Sequence, residues 1–156
     1  MLMVSSCVAD DPALRALVDA MTAELIAVYG LPSDARPAPL ASDSRYLLAR
    51  KDDRAVGCCA VQPIGSETWE LKRMFVSPAV RGTGVADLLL TEAEQLALEL
   101  GGRTLRLETG VRQPAAIRLY ERTGYRKIAN YAPHDQDPLS VCYEKALPAR
   151  PELMRL

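Results

Sequence analysis

LKRMFVSPAVRGTGVADLLLTEAEQLALEL, residues 71–100, is the stretch that decides the fold. An apolar strand ending Met74-Phe75-Val76 breaks at Ser77-Pro78, passes through Arg81-Gly82-Thr83-Gly84-Val85-Ala86, and becomes an amphipathic helix. Glycines at 82 and 84 allow a tight turn with backbone N–H groups facing inward. The helix start adds unpaired N–H donors and the positive end of its dipole, and Arg81 adds a full charge. This order predicts a pocket for a phosphate anion, with a plain change of chain direction as the alternative. A Rossmann fingerprint (G-x-G-x-x-G) and an NTPase phosphate loop ending Gly-Lys-Ser/Thr both fail on spacing.

C-terminal to the turn, Val85, Leu88, Leu89, Ala93, Leu96, Ala97 and Leu100 make one apolar face of a helix over Thr83–Leu100, stopped by Gly101-Gly102. Leu105 and Leu107 alternate with Arg106 and Glu108 in a strand, and a helix from Pro114 to Arg122 ends at Gly124. Tyr125–Asn130 and Leu139–Lys145 then form a hairpin around a long polar loop holding His134, Asp135 and Asp137.

N-terminal to the turn, the strand Thr68–Val76 has apolar Trp69 and Leu71, then Met74 and Val76. The alternation slips by one residue around Lys72-Arg73, which a β-bulge produces; the other reading is that Phe75 is buried and nothing slips. Earlier still, Asp10-Asp11-Pro12 opens a helix that Gly30 closes, and Leu31–Asp43, with three prolines, is irregular. Tyr46–Arg50 and Ala55–Ile64 read as an antiparallel hairpin about Lys51–Arg54.

The chain has 156 residues, a length expected of one domain spanning 1–156. With 19 basic and 20 acidic side chains its formal net charge is −1, so no basic field argues for nucleic acid and a small partner is expected. No apolar run approaches the ~20 residues of a membrane span, and Met1–Val8 lacks signal-peptide character, so a cytoplasmic location is expected. Cys7, Cys58, Cys59 and Cys142 have no C-x-x-C spacing, and His134 is the only histidine, so no metal site is expected. The cysteines read as reduced strand residues, with Cys142 the one that could face a pocket. The proline-bearing tail Pro148–Leu156 is a free end or a subunit contact, compatible with a homodimer.

The run R-G-x-G-x-A after a strand resembles the pyrophosphate-binding signature of the GNAT acetyltransferase superfamily. A second stretch, Gln113 to Tyr125, resembles that family's N-x-x-A-x-x-[LF]-Y-x-x-x-G-[FY] pattern at Ala116, Leu119, Tyr120, Gly124 and Tyr125, with Gln113 in the asparagine's place. The resemblance implies a mixed α/β fold: a twisted, mostly antiparallel sheet, a central parallel strand pair splayed at a bulge, and helices on both faces. It also implies that acetyl-CoA is the acyl donor, bound by Arg81, Gly82, Thr83, Gly84, Val85 and Ala86, by the backbone of Met74, Phe75 and Val76, and by Gln113, Ala116 and Tyr120. The activity it implies is direct acetyl transfer to a primary amine of a small molecule or peptide. A non-catalytic acyl-CoA-binding sensor or interaction module is the rival.

Amine acetylation requires a deprotonated nucleophile, a polarised thioester carbonyl and a proton for the departing thiolate. By resemblance Tyr120 is the general acid, the Val76 N–H polarises the carbonyl, and Glu70 is the base, with Glu108 in reserve. A buried packing tyrosine is the other reading of Tyr120, and a solvated strand residue that of Glu70. Leu31–Asp43 and the loop around His134 are expected to set the acceptor. Acidic lining by Glu70, Asp135 or Asp137 would favour a cationic amine, and lining by Arg73 or Arg106 a carboxylate. His134 reads equally as a solvated residue or a ligand contact.

Overall fold

The computed structural model describes residues 1–148; the tail contact expected beyond Pro148 lies outside the described residues. In chain order the elements are β1 (Leu2–Cys7), α1 (Pro12–Tyr29), β2 (Arg45–Lys51), β3 (Arg54–Pro63), β4 (Thr68–Val76), α2 (Val85–Glu99), β5 (Thr104–Gly110), α3 (Pro114–Arg122), β6 (Arg126–Ile128) and β7 (Ser140–Ala146), with a single 3-10 turn at Pro78–Val80. The strands form one seven-stranded sheet in the order β1-β2-β3-β4-β5-β7-β6. Every neighbouring pair is antiparallel except β4 and β5. The sequence-derived fold class is therefore correct.

Local chemistry accounts for the helix ends. The Asp11 carboxylate accepts from the N–H of Ala13 at 2.8 Å and of Leu14 at 3.4 Å, a cap worth about 1 kcal/mol. Gly30 ends α1 in the left-handed conformation. The helix expected from Thr83 starts at Val85, because Gly84 at φ +93° cannot be part of it. Leu90, absent from the apolar face read above, is as buried as Leu89.

The sheet is covered on both faces. One face carries the larger core, where Leu71, Val76, Leu105, Leu107 and Tyr143 meet Val85, Leu89 and Ala93 of α2 and Leu119 and Tyr120 of α3. On the other face, α1 packs Leu14 and Leu17 on Leu48, Cys58 and Phe75. The slip reading of β4 therefore holds and the alternative, in which nothing slips, does not; Phe75 is buried as that alternative had it, but on the α1 face.

The slip is a bulge. Between the pairs Cys58↔Phe75 and Ala60↔Lys72, β4 spends one more residue than β3, and Arg73 takes φ +57°. The Cys58 thiol sits 3.5 Å from the Arg73 carbonyl oxygen that the kink displaces. Beyond the bulge β4 leaves β5: their parallel ladder runs from Thr68↔Thr104 only to Leu71↔Leu107, although the strands continue to Val76 and Gly110.

Candidate active site

The open edge left between the two strands leads directly to the glycine turn. Gly82 and Gly84 adopt φ +78° and +93°, and a Cβ at either would meet nothing within 4 Å, so conformation rather than space demands glycine. Among the described residues the N–H groups of Gly82, Thr83, Gly84, Val85 and Ala86 have no acceptor. The first helical amide to be paired is that of Leu88, on the Gly84 carbonyl. An uncapped helix start behind two left-handed glycines presents donors and a positive partial charge to solvent, which is what a diphosphate needs.

The side chains of the turn have other partners. Val85 is buried in the α2 core and Ala86 packs against it. Arg81 donates from Nε to the Val76 carbonyl at 2.9 Å and from Nη2 to Glu24 at 2.8 Å, with its guanidinium over Phe75. Its charge is thus partly neutralised by α1, which leaves the backbone amides as the unengaged donors of the turn. Asp87, the carboxylate in the first turn of α2, is clamped by both Nη atoms of Arg122 at 2.8 Å, tying α2 to α3.

Along β4, the Met74 side chain packs into the α2 core and that of Phe75 under α1. The Ser77 N–H reaches back to Val56 of β3 at 2.8 Å. Strand amides alternate in direction, so the Val76 N–H points to the opposite edge, the one facing the gap.

Tyr120 projects from α3 into the core of the α2–α3 face, edge-on to Tyr125 at 5.7 Å. The hydroxyls of Tyr125, Tyr131 and Tyr143 bond to Glu94, Glu70 and Glu121, whereas that of Tyr120 joins no hydrogen bond among the described residues. Burial, followed by the neighbouring Cys59 and Glu108, pushes its phenol well above the ordinary value of 10.0. Ala116, one turn earlier on α3, packs against the same core. Gln113 is committed elsewhere: its Oε1 accepts from the Gly110 N–H at 3.1 Å and the Tyr29 hydroxyl at 3.2 Å.

Glu70 lies on the opposite face of the sheet and is only 3% exposed. Its carboxylate accepts from Gln62 Nε2 at 2.8 Å and from the Tyr131 hydroxyl at 2.6 Å. Burial and this bond to Glu70 push the Tyr131 phenol far above its usual range, so Tyr131 stays a donor. Glu108, on the same face of β5, accepts from Ser140 at 2.7 Å.

His134 stands between the two carboxylates, with Nε2 3.6 Å from Glu70 and Nδ1 3.9 Å from Glu108. The solvated reading of His134 fails, since its side chain is 15% exposed and its Nε2 is buried without a hydrogen-bond partner among the described residues. Asn130 holds the loop in place by donating to the carbonyls of His134 and Ser140, and Tyr131 meets the imidazole edge-on. Being the only histidine, in a loop bracketed by Asn130 and Ser140, was the one sequence signal for it.

Of the other named residues, Asp135 and Asp137 are exposed, and Arg106 is paired with Glu144 at 3.1 Å and stacked on Tyr131. Cys142 is fully buried on the Glu108 face, and burial raises its thiol, so it is not an open nucleophile. Burial pushes Cys58 up to about 12. Among the described residues no helix is long and apolar enough to cross a membrane.

A family model described as the acetyltransferase (GNAT) family matches residues 14–125. The chain is 38% identical to an IAA acetyltransferase of Azospirillum brasilense, over 85% of this chain and 84% of that one. A solved Klebsiella pneumoniae structure described as an acyl-CoA N-acyltransferase is 34% identical and superimposes with a TM-score of 0.82 over 94% of this chain and 98% of its own. An Elizabethkingia anophelis GNAT acetyltransferase solved with acetyl-CoA bound shares the fold, at 19% identity and a TM-score of 0.70 over 94% and 98% of the two chains.

Proposed function

This chain belongs to the GNAT acetyltransferase family and is an acyltransferase, and we propose that it moves the acetyl group of acetyl-CoA directly to a primary amine within one domain. The observation that carries the reading is the row of unpartnered amides from Gly82 to Ala86 at the mouth of the gap that opens after Leu71 and Leu107. The diphosphate takes those amides, and the pantetheine arm runs down the gap along Met74–Val76.

The chemistry follows from the two faces of the sheet. The Val76 N–H, turned to the gap, polarises the thioester carbonyl. The amine attacks from the α1 face, forming the C–N bond as the C–S bond breaks. Its proton passes to Glu70, directly or through a water. Each carboxylate oxygen keeps a second lone pair beyond its bond to Gln62 or Tyr131. On the α3 side Tyr120, kept protonated by burial and unengaged by protein groups, donates to the departing sulfur. No acyl-enzyme is needed, and the thiols of Cys58, Cys59 and Cys142 are buried and raised, which disfavours one.

Purified protein incubated with acetyl-CoA and a panel of amines should release free thiol with intersecting initial-velocity lines. Parallel lines would indicate a covalent intermediate, and no thiol release with any amine would remove the transferase reading.

A further inference from the structure

Between the N-terminal half of α1, the irregular crossing segment and the β4 bulge lies a cavity of about 240 Å³. Arg15, Arg36 and Arg73 line it together with one carboxylate, Asp19. Among the described residues none of the three arginines is in an ion pair. Arg36 reaches only the carbonyl of its neighbour Ala35, and Arg73 donates from Nη2 to the Ala38 carbonyl at 2.7 Å.

The Arg73 Nε is buried without a partner. Its backbone is also held in the left-handed region, a strained conformation for a non-glycine residue that concentrates at ligand sites. Three guanidiniums around one small hollow repel one another, and a carboxylate that accepts from two forks at once relieves this.

We propose that this cavity is the acceptor's anion subsite and that the acceptor is a small amine bearing a carboxylate, of the amino-acid type. The inference rests on the transferase reading above and names its substrate class. Arg73 immediately precedes Met74, where β4 diverges from β5, and lies three residues, about 10 Å of strand, from Glu70 on the same face. A substrate anchored there by its carboxylate keeps its amine on the α1 face, between bulge and base. The cavity is smaller than the roughly 300 Å³ at which pockets for drug-sized ligands begin, which fits a small acceptor.

The test compares acetylation of free α-amino acids with that of their carboxamides and decarboxylated amines, in the natural protein and in the double variant Arg15→Gln/Arg36→Gln, whose positions are exposed. The natural protein should prefer the free acid by at least about tenfold in kcat/KM, and the double variant should lower that ratio by about the same factor. Equal use of acid, amide and amine overturns the subsite while leaving the transferase intact; the amide arm reports a preference for peptide N-termini. A ratio unchanged in the double variant also overturns it. So does a loss of acetyl-CoA affinity without a change in ratio, which would give the arginines to the cofactor's phosphates.

Discussion

Leu71 and Leu107 form the last pair of the parallel ladder, and past them β4 bulges away while β5 runs straight to Gly110. The sheet therefore carries an internal edge whose amides no strand satisfies, ending at the amides of the glycine turn.

Replacing Gly84 by valine should weaken acetyl-CoA binding at least about tenfold, because φ +93° is strained for any side chain and the donors would lose their alignment. Isothermal calorimetry on a variant that retains its circular dichroism spectrum checks this. Unchanged affinity would take the anion away from this turn.

Tyr120→Phe should lower kcat by about a hundredfold while affecting coenzyme affinity much less, since the missing hydroxyl acts on the departing sulfur. Full turnover in the variant would leave Tyr120 as a packing residue only.

Glu70→Gln should lower kcat/KM at neutral pH by about a hundredfold, whereas Glu108→Gln should change it much less. Steady-state kinetics on the two folded variants measure this, and natural kcat/KM in Glu70→Gln would move the base to another group.

How much of this could be read beforehand depended on range. The β4 slip, the glycine turn, the α2 face and the α3 boundaries are written in neighbouring residues, because strand phase, left-handed glycines and helical spacing are local properties. His134 between Glu70 and Glu108 was not legible, since its position depends on Asn130 closing a loop over three strands. Nor was the capture of Gln113 by Tyr29, which joins residues 84 positions apart. The partnering of Arg81 with Glu24 is of the same kind: the charge was visible, its neutraliser on a distant helix was not.

The bond between Tyr29 and Gln113 gives a stability prediction. A Cβ at Gly110 would overlap the Tyr29 hydroxyl and approach Gln113, so Gly110→Ala should cost about 1–3 kcal/mol by prying α1 from the β5–α3 junction. Thermal melting measures it, and a melting temperature equal to the natural protein's would contradict the packing.

Alkaline pH should destabilise the fold. Burial raises Cys58 from 9.0 to about 12, and the buried phenols of Tyr120 and Tyr131 also move upward. A folded value above the unfolded one means the stability is fully present below pH 9.0 and is lost as pH rises toward 12. Calorimetric melting temperatures should therefore hold near neutrality and fall above about pH 9; a flat profile to pH 11 would argue against these groups being buried in solution.

The most direct measurement is a crystal structure with acetyl-CoA. The diphosphate should sit on the N–H groups of Gly82–Ala86 and the pantetheine arm between Met74–Val76 and Glu108–Gly110, the thioester sulfur near Tyr120. Coenzyme bound elsewhere, or a gap closed by side chains with no coenzyme in it, would contradict the account.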